Sequence, residues 1–272
     1  MYTKREPMSL REIQIAALEI LKEIDRICND LKINYYLWYG SLLGAVRHKG
    51  FIPWDDDLDI AMKIEDYKVF IDYFRSNKVI EPFEIHNFET NKYCGYNITR
   101  VCDNRYVLEF NQSRYTSGIF VDIYPLEGLG NEKMTPYWKK HYKKLPCLYK
   151  HLALCCTNSF LYGKNIVTKI GNIPNYIISN ILGKKYYIDK LNSYPKIAIK
   201  DSKYIGIPAW DYGIFPKEWF NEIIKVPFEG IMVPIPRDYD LILRSMYNDY
   251  MKLPSDKERV PHHNYVAYRK GL

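Results

Sequence analysis

A chain of 272 residues, 47% apolar and 26% charged, can bury a substantial core and is too mixed in composition for a disordered or fibrous protein. Its net charge of +7 is concentrated: residues 134–200 hold twelve lysines and one acid, Asp189, so the remainder of the chain is net acidic. The apolar runs at 152–156 and 173–182 fall far short of the roughly 20 residues a bilayer-spanning helix needs, and no apolar run backs the N-terminal charges, which excludes an integral membrane protein and predicts a cytoplasmic one.

In chain order, Ser9-Leu10-Arg11-Glu12 reads as a capping box, and Leu10, Ile13, Ala17, Ile20, Leu21, Ile24, Ile27 and Leu31 recur at helical spacing, so the first element is a helix. Residues 33–39 are aromatic and β-branched and predict a strand ending at Gly40-Ser41, with a short helix over 42–47. A second strand is expected over 58–62 and a second helix over 65–75. Runs at 83–88, 93–101, 106–110 and 119–124 read as strands, with Asp103-Asn104 as a turn. Their succession without helices argues for antiparallel or mixed pairing. Residues 136–156 and 164–191 read as helices with Lys and Tyr interleaved among Leu and Ile. The stretch 205–272 reads as Pro-rich and irregular, with one helix over 237–247. The expected fold class is α/β (α+β): a mixed sheet flanked by helices, with a core in 1–133, a basic helical insertion in 134–200, and a C-terminal part in 201–272 that completes the core. The six cysteines show no C-x-x-C and no zinc-type spacing, and are expected as reduced thiols that pack like small apolar groups.

The stretch with chemistry in it runs from Gly40 to Ile60 and contains Trp54-Asp55-Asp56-Asp57-Leu58-Asp59. Residues two apart on a strand share a face, so Asp57 and Asp59 point together while Leu58 and Ile60 point into the core. Two carboxylates side by side repel and raise each other's pKa unless a divalent cation lies between them; hard oxygen ligands suit Mg²⁺ or Mn²⁺. Gly40 lets a backbone approach closely, Ser41 and the following helix N–H groups can hold an anion, and Arg47 can neutralise phosphate charge. Asp122, alone among apolar residues in Gly118-Ile-Phe-Val-Asp-Ile-Tyr-Pro125, is the candidate third acid, as metal ligand or as base. An acidic cluster ahead of an apolar run is ordinarily a solvated loop or a helix cap. The combination with Gly-Ser and a later buried-looking Asp is what favours a metal site.

The run from Tyr39 to Ile60 resembles the signature of LicD-type phosphocholine transferases, a family that includes fukutin-related proteins. Gly118 to Pro125, Phe228-Glu229-Gly230 with the Pro-rich strand that follows it, the stretch from Tyr247 to Pro254, Arg259 and His262 also match; Asn248 stands where the family more often has Gly. The resemblance implies a polymerase-β-like nucleotidyltransferase fold and transfer of phosphocholine from CDP-choline to a glycan hydroxyl, with CMP leaving. It implies Asp57, Asp59 and Asp122 as metal ligands, Gly40, Ser41 and Arg47 beside the donor phosphates, and His48, Arg100 and His262 as further site residues. Choline's quaternary ammonium calls for aromatic faces, and Trp38, Tyr39, Phe51, Trp54, Tyr124 and Trp210 are candidates.

Two readings of the basic segment stay open: solvated lysines on helices, or a surface for the anionic inner face of the cytoplasmic membrane or a lipid-linked glycan. No nucleic-acid-binding motif accompanies it. Rival functions are transfer of the nucleotide itself, transfer of another phospho-alcohol (ribitol, glycerol or ethanolamine phosphate), and a non-catalytic anion- or glycan-binding module.

Overall fold

The computed structural model describes residues 6–76, 81–208, 213–261, 263 and 265–271. Helix α1 (Leu10–Leu31) opens on the capping box, with Ser9 accepting from the Glu12 N–H and the Glu12 carboxylate accepting from the Ser9 N–H at 2.9 Å. Its stripe of Ile13, Ala17, Ile20, Leu21, Ile24 and Ile27 is buried against the sheet, each large aliphatic contributing about 1.5–3 kcal/mol. Strand β1 (Tyr36–Leu37) is short, because Tyr39 adopts φ 42° and starts helix α2 (Tyr39–His48); Gly40 and Ser41 therefore lie in the helix's first turn, not at a strand end. Strand β2 (Asp59–Lys63) leads directly into α3 (Ile64–Ser76).

The strands that follow are β3 (Phe83–His86), β4 (Thr99–Phe110) and β5 (Thr116–Gly128). Residues 93–98 are not strand, and Asp103-Asn104 is no turn. It lies inside β4, where the register against β5 shifts between Asp103 and Leu108. That bulge lets β4 carry two partners on its outer edge, β3 along Arg100–Asp103 and β10 (Tyr265–Arg269) along Tyr106–Phe110. On the other side β2 runs parallel to β5 and places Asp59 beside Asp122, Ile60 beside Ile123. Strand β5 is buried on both faces from Ser117 to Leu126, as its apolar run, interrupted inside by Asp122 alone, requires.

The irregular-looking C-terminal part supplies β6 (Tyr204–Gly206) and β7 (Ile214–Pro216) on the end of β5, and a separate hairpin of β8 (Ile223–Phe228) and β9 (Ile231–Pro236). Their prolines sit in short edge strands, where a missing N–H costs no ladder bond. The hairpin turns on Glu229 and Gly230, at φ 50° and 81°, as a tight two-residue loop demands. Helix α8 (Tyr239–Tyr247) ends at Asn248, whose φ of 56° explains why glycine suits that position and why asparagine can replace it.

Between these parts lies a helical run of α4 (Pro136–Trp138), a π-helical stretch (Lys139–Lys144) and α5 (Leu145–Cys155), followed by α6 (Ile166–Gly171) and α7 (Ile173–Leu191). Ala153 and Cys156 pack with Tyr187, Ile188 and Leu191 in a small core of their own. Among the described residues the main core draws nothing from between Leu126 and Ile199. The six cysteines are free.

Gly118 is a close-approach glycine, since a Cβ there would overlap the Asp103 backbone carbonyl on the neighbouring strand. Gly118→Ala is expected to lower stability by about 1–3 kcal/mol in urea unfolding. Gly271→Ala, with nothing near its Cβ, should leave it unchanged.

Candidate active site

The acidic loop is held by its backbone. Gln14, buried on α1, donates from Nε2 to the Asp55 carbonyl (2.9 Å) and the Ile52 carbonyl (3.4 Å), and the Tyr265 hydroxyl donates to the Asp56 carbonyl at 2.7 Å. The Glu229 carboxylate accepts from the Phe51 N–H (3.1 Å) and from Arg11 (2.6 Å), while the Glu229 N–H donates to the Lys49 carbonyl, fixing the hairpin turn to the loop. Asp59 N–H donates to Ser41 Oγ at 2.9 Å, Trp38 N–H donates to the Asp59 carbonyl at 2.8 Å, and Asp122 N–H donates to the Leu58 carbonyl at 2.9 Å. A Cβ on Gly40 would strike the Asp55 carboxylate, so glycine is what lets α2 start against it.

Asp55, Asp57 and Asp59 open into a cleft of about 1080 Å³, which is also bounded by Gly40 and Arg47 of α2, by Tyr39, Trp54, Tyr124, Tyr247 and Tyr250, and by Lys252. Asp57 lies in the loop ahead of β2 and Asp59 begins the strand, yet both face this cleft, with Leu58 fully buried between them. Burial, followed by the charges of Asp57 and Asp56, pushes the Asp55 carboxyl up to about 8. Burial and then Asp57, Asp122 and Asp55 hold the Asp59 carboxyl well above the usual range. Burial raises Asp57 as well, against the opposing pull of His263. Asp59 Oδ1 is buried and accepts no hydrogen bond among the described residues.

Two basic side chains meet the cluster. Arg100 Nε and Nη2 donate to the two oxygens of Asp122 at 2.7 and 3.3 Å, and both side chains are buried. His263 Nδ1 lies 3.0 Å from Asp56 Oδ1, and its Nε2 lies 3.8 Å from Asp57 Oδ2. Burial alone would lower the His263 pKa, but the Asp56 hydrogen bond and the charges of Asp57, Asp56 and Asp122 hold it above its ordinary value. Ligand atoms of Asp56, Asp57 and His263 lie within 4.8 Å of one another. Hard carboxylate oxygens, one of them without a donor, could hold a divalent cation.

A sequence profile described as LicD/FKTN/FKRP, nucleotidyltransferase domain, matches residues 32–160. The lipopolysaccharide cholinephosphotransferase LicD of Haemophilus influenzae is 34% identical over 276 residues, covering 96% of this chain and 98% of that protein. The chain belongs to the LicD family. With that membership it is a phosphotransferase. The human ribitol 5-phosphate transferase FKRP shares 53% identity over 34 residues, 12% of this chain and 7% of its own length. An uncharacterized protein of Rickettsia prowazekii shares 30% over 128 residues, 46% of each chain.

The residues of the LicD signature take distinct positions. Gly40 and Arg47 border the cleft; Arg47 donates to the Tyr250 carbonyl at 2.8 Å and to His48 Nε2 at 2.9 Å. Ser41 is buried and holds the Asp59 backbone. His48 lies outside the cleft lining, edge-on to Trp54; burial and then Arg47 lower its pKa, so a neutral ring accepts from Arg47. Arg100, expected beside substrate, is 3% exposed and is instead the partner of Asp122. Of the expected aromatic faces, Tyr39, Trp54 and Tyr124 border the cleft, whereas Trp38 and Phe51 are core. His262 and Trp210 lie outside the described residues. Asp55, Asp56 and His263 went unassigned in the sequence reading. The signals were present, in the unbroken Asp triplet and the adjacent His-His pair, but a strand-face argument counts only every second residue.

Arg100→Met would leave Asp122 buried beside other carboxylates without its counterion. It should cost about 3–5 kcal/mol in denaturant unfolding, and adding Asp122→Asn should recover part of the loss. Additive losses would show that the pair is not coupled.

Proposed function

We propose that the protein transfers phosphocholine from CDP-choline to a hydroxyl of a cell-surface glycan precursor (a teichoic acid, lipopolysaccharide or capsule), releasing CMP. The observation that carries this reading is the cluster of carboxylates, with Asp59 Oδ1 buried and without a donor among the described residues, lining a cleft large enough for a nucleotide-linked donor; its family context is the cholinephosphotransferase relative matched over nearly its whole length. The parallel pair β2 and β5, bearing Asp59 beside Asp122, supports a polymerase-β-like nucleotidyltransferase fold. The site fits Mg²⁺ or Mn²⁺, held by Asp57 and Asp59 with Asp122 behind them, because an anionic oxygen left without a donor calls for a cation. When bound, the ion would supply neutralisation of phosphate charge.

The protein's own part is positioning. A glycan oxygen bonds to the β-phosphorus, the bond from that phosphorus to the bridging oxygen breaks, and CMP departs with the electron pair. The hydroxyl proton passes to a carboxylate of the cluster. Asp122, gripped at both oxygens by Arg100, fixes the charge and orientation behind Asp59. Arg47 and Lys252 border the cleft and would meet donor phosphates.

A second, smaller cavity of about 370 Å³ reaches His263 and is bounded by Tyr96, Phe110, Tyr115, His151 and Asn158. The Arg100 guanidinium already lies over the rings of Phe120 (3.9 Å), Tyr96 (4.5 Å), Tyr115 (5.6 Å) and Phe110 (5.9 Å). Rings that already carry a cation are poor hosts for choline, but ring edges with Asn and His suit a sugar. In this reading the donor occupies the larger cleft and the acceptor sugar the smaller cavity.

CMP release from CDP-choline with Mg²⁺ or Mn²⁺ and candidate glycan acceptors tests the proposal. Asp59→Asn should reduce it on the order of 100-fold or more. The same ions should raise the melting temperature of the wild type and not of the variant. Release of pyrophosphate instead would favour nucleotidyl transfer, and turnover of CDP-ribitol or CDP-glycerol alone would change the carried group. A folded protein silent with every donor and blind to metal would leave only a binding module.

A further inference from the structure

Helix α7 packs inward through Tyr187, Ile188 and Leu191, and Ser179 is fully buried. The half of α7 that precedes the break at Gly183 turns aliphatics outward. Ile177, Ile178, Ile181 and Leu182 are 48%, 50%, 75% and 50% exposed, and on α6 Val167 and Ile170 are 74% and 59% exposed. Positions i, i+1, i+4 and i+5 of a helix form one continuous stripe, so the outward aliphatics of α7 make a face rather than scattered side chains. An exposed run of large aliphatics of this extent, continued by α6, calls for a cover. The preceding loop adds Phe160, 52% exposed.

The charge around this face is of one sign. No Asp or Glu occurs between Glu132 and Asp189, and Lys164 and Lys169 flank the exposed positions of α6. Two copies meeting through this face would oppose lysine to lysine, and the one acid of the segment, Asp189, lies beyond the Gly183 break and pairs with Lys185. An anionic leaflet offers acyl chains for the aliphatics and lipid phosphates for the lysines. Among the described residues no helix is long and apolar enough to cross a membrane, and Gly183, at φ 78°, breaks α7 where the outward apolar stripe ends. The geometry points to the α6–α7 face as a docking surface for an anionic bilayer, with the helices lying in the interface and not spanning it.

The placement has a consequence for the acceptor. Helix α5, which packs on α7, carries His151 and Leu154 at the smaller cavity, so docking brings that cavity toward the surface where a lipid-linked glycan is presented. The docking surface itself does not rest on the reaction assigned above; it stands whatever the acceptor.

The test is co-sedimentation of the full chain with phosphatidylcholine vesicles carrying about 30% phosphatidylglycerol, against pure phosphatidylcholine vesicles. Wild type should bind the anionic vesicles at least about tenfold more tightly than the neutral ones, and Val167→Asp/Ile181→Asp should lose at least about tenfold of that affinity. Both positions are exposed, and an unchanged circular-dichroism melt shows the variant folded. An independent reading comes from Ile181→Trp, whose added emission should shift to the blue with anionic vesicles and be quenched by brominated acyl chains. The proposal is overturned by absence of vesicle binding, by a double variant that binds like wild type, or by emission from the Ile181→Trp variant that is indifferent to vesicles. It also falls if the wild type is a dimer that the double variant converts to monomer while neither binds vesicles, which would assign the face to a second copy.

Discussion

Five carboxylates, Asp55, Asp56, Asp57, Asp59 and Asp122, crowd one corner between β2, β5 and the loop ahead of β2, and the described cations engage chiefly two of them, Arg100 on Asp122 and His263 on Asp56. Were the remaining three all ionised, their repulsion would push the loop open, and the surrounding architecture resists it. Gln14 from α1, Ser41 from α2, Tyr265 from β10 and Glu229 from the hairpin turn each hold the backbone of the loop or of Asp59, without neutralising the carboxylates. Elements as far apart in sequence as α1 and β10 are thus committed to keeping a corner of like charge closed. Such strain persists only where the rest of the fold overdetermines it, and it is the arrangement a cation-dependent site requires.

The parts of this fold that were legible in the sequence are those governed by local physics. The capping box and the 3.6-residue stripe gave α1 to within a residue, and the apolar strand around Asp122 is β5. The misreadings have tertiary causes. Residues 33–39 have strand-forming side chains, yet Tyr39 turns into α2 because Gly40 must pass the Asp55 carboxylate. Asp103-Asn104 looks like a turn but is a bulge that lets one strand serve two edge partners, a need visible only once β3 and β10 are placed. A short Pro-bearing strand such as β8 lacks the periodicity that marks a strand in isolation, whereas β9 is the Pro-rich strand expected after Gly230. Of the site, Asp57 and Asp59 were readable from spacing, whereas the roles of Arg100 and His263 depend on pairings 22 and 207 residues apart.

The insertion obeys a different logic from the core around it. Its inner face closes on a small core of Ala153, Cys156, Tyr187, Ile188 and Leu191, while its outer face leaves comparable aliphatics in water. A segment that served only to brace the sheet would carry polar residues outside, as α1 does with Glu19, Lys22, Glu23 and Arg26. The contrast between α1, polar on its outer side, and the first half of α7, which exposes Ile177, Ile178, Ile181 and Leu182, marks the second as facing something other than solvent.

The distribution of charge between the two cavities bears on what each can accept. In the smaller one the aromatic faces surround Arg100, so a second cation entering there would meet like charge. In the larger one Tyr39, Tyr124 and Tyr247 stand in the field of Asp55, Asp57 and Asp59, which burial and mutual repulsion make reluctant to ionise without a counterion. In the reading proposed above, a metal ion answers Asp57 and Asp59 in the larger cavity, and what remains for a quaternary ammonium is contact with the ring faces, made without the desolvation cost of a compact ammonium ion. A neutral sugar would suit the smaller cavity, whose rings already carry Arg100.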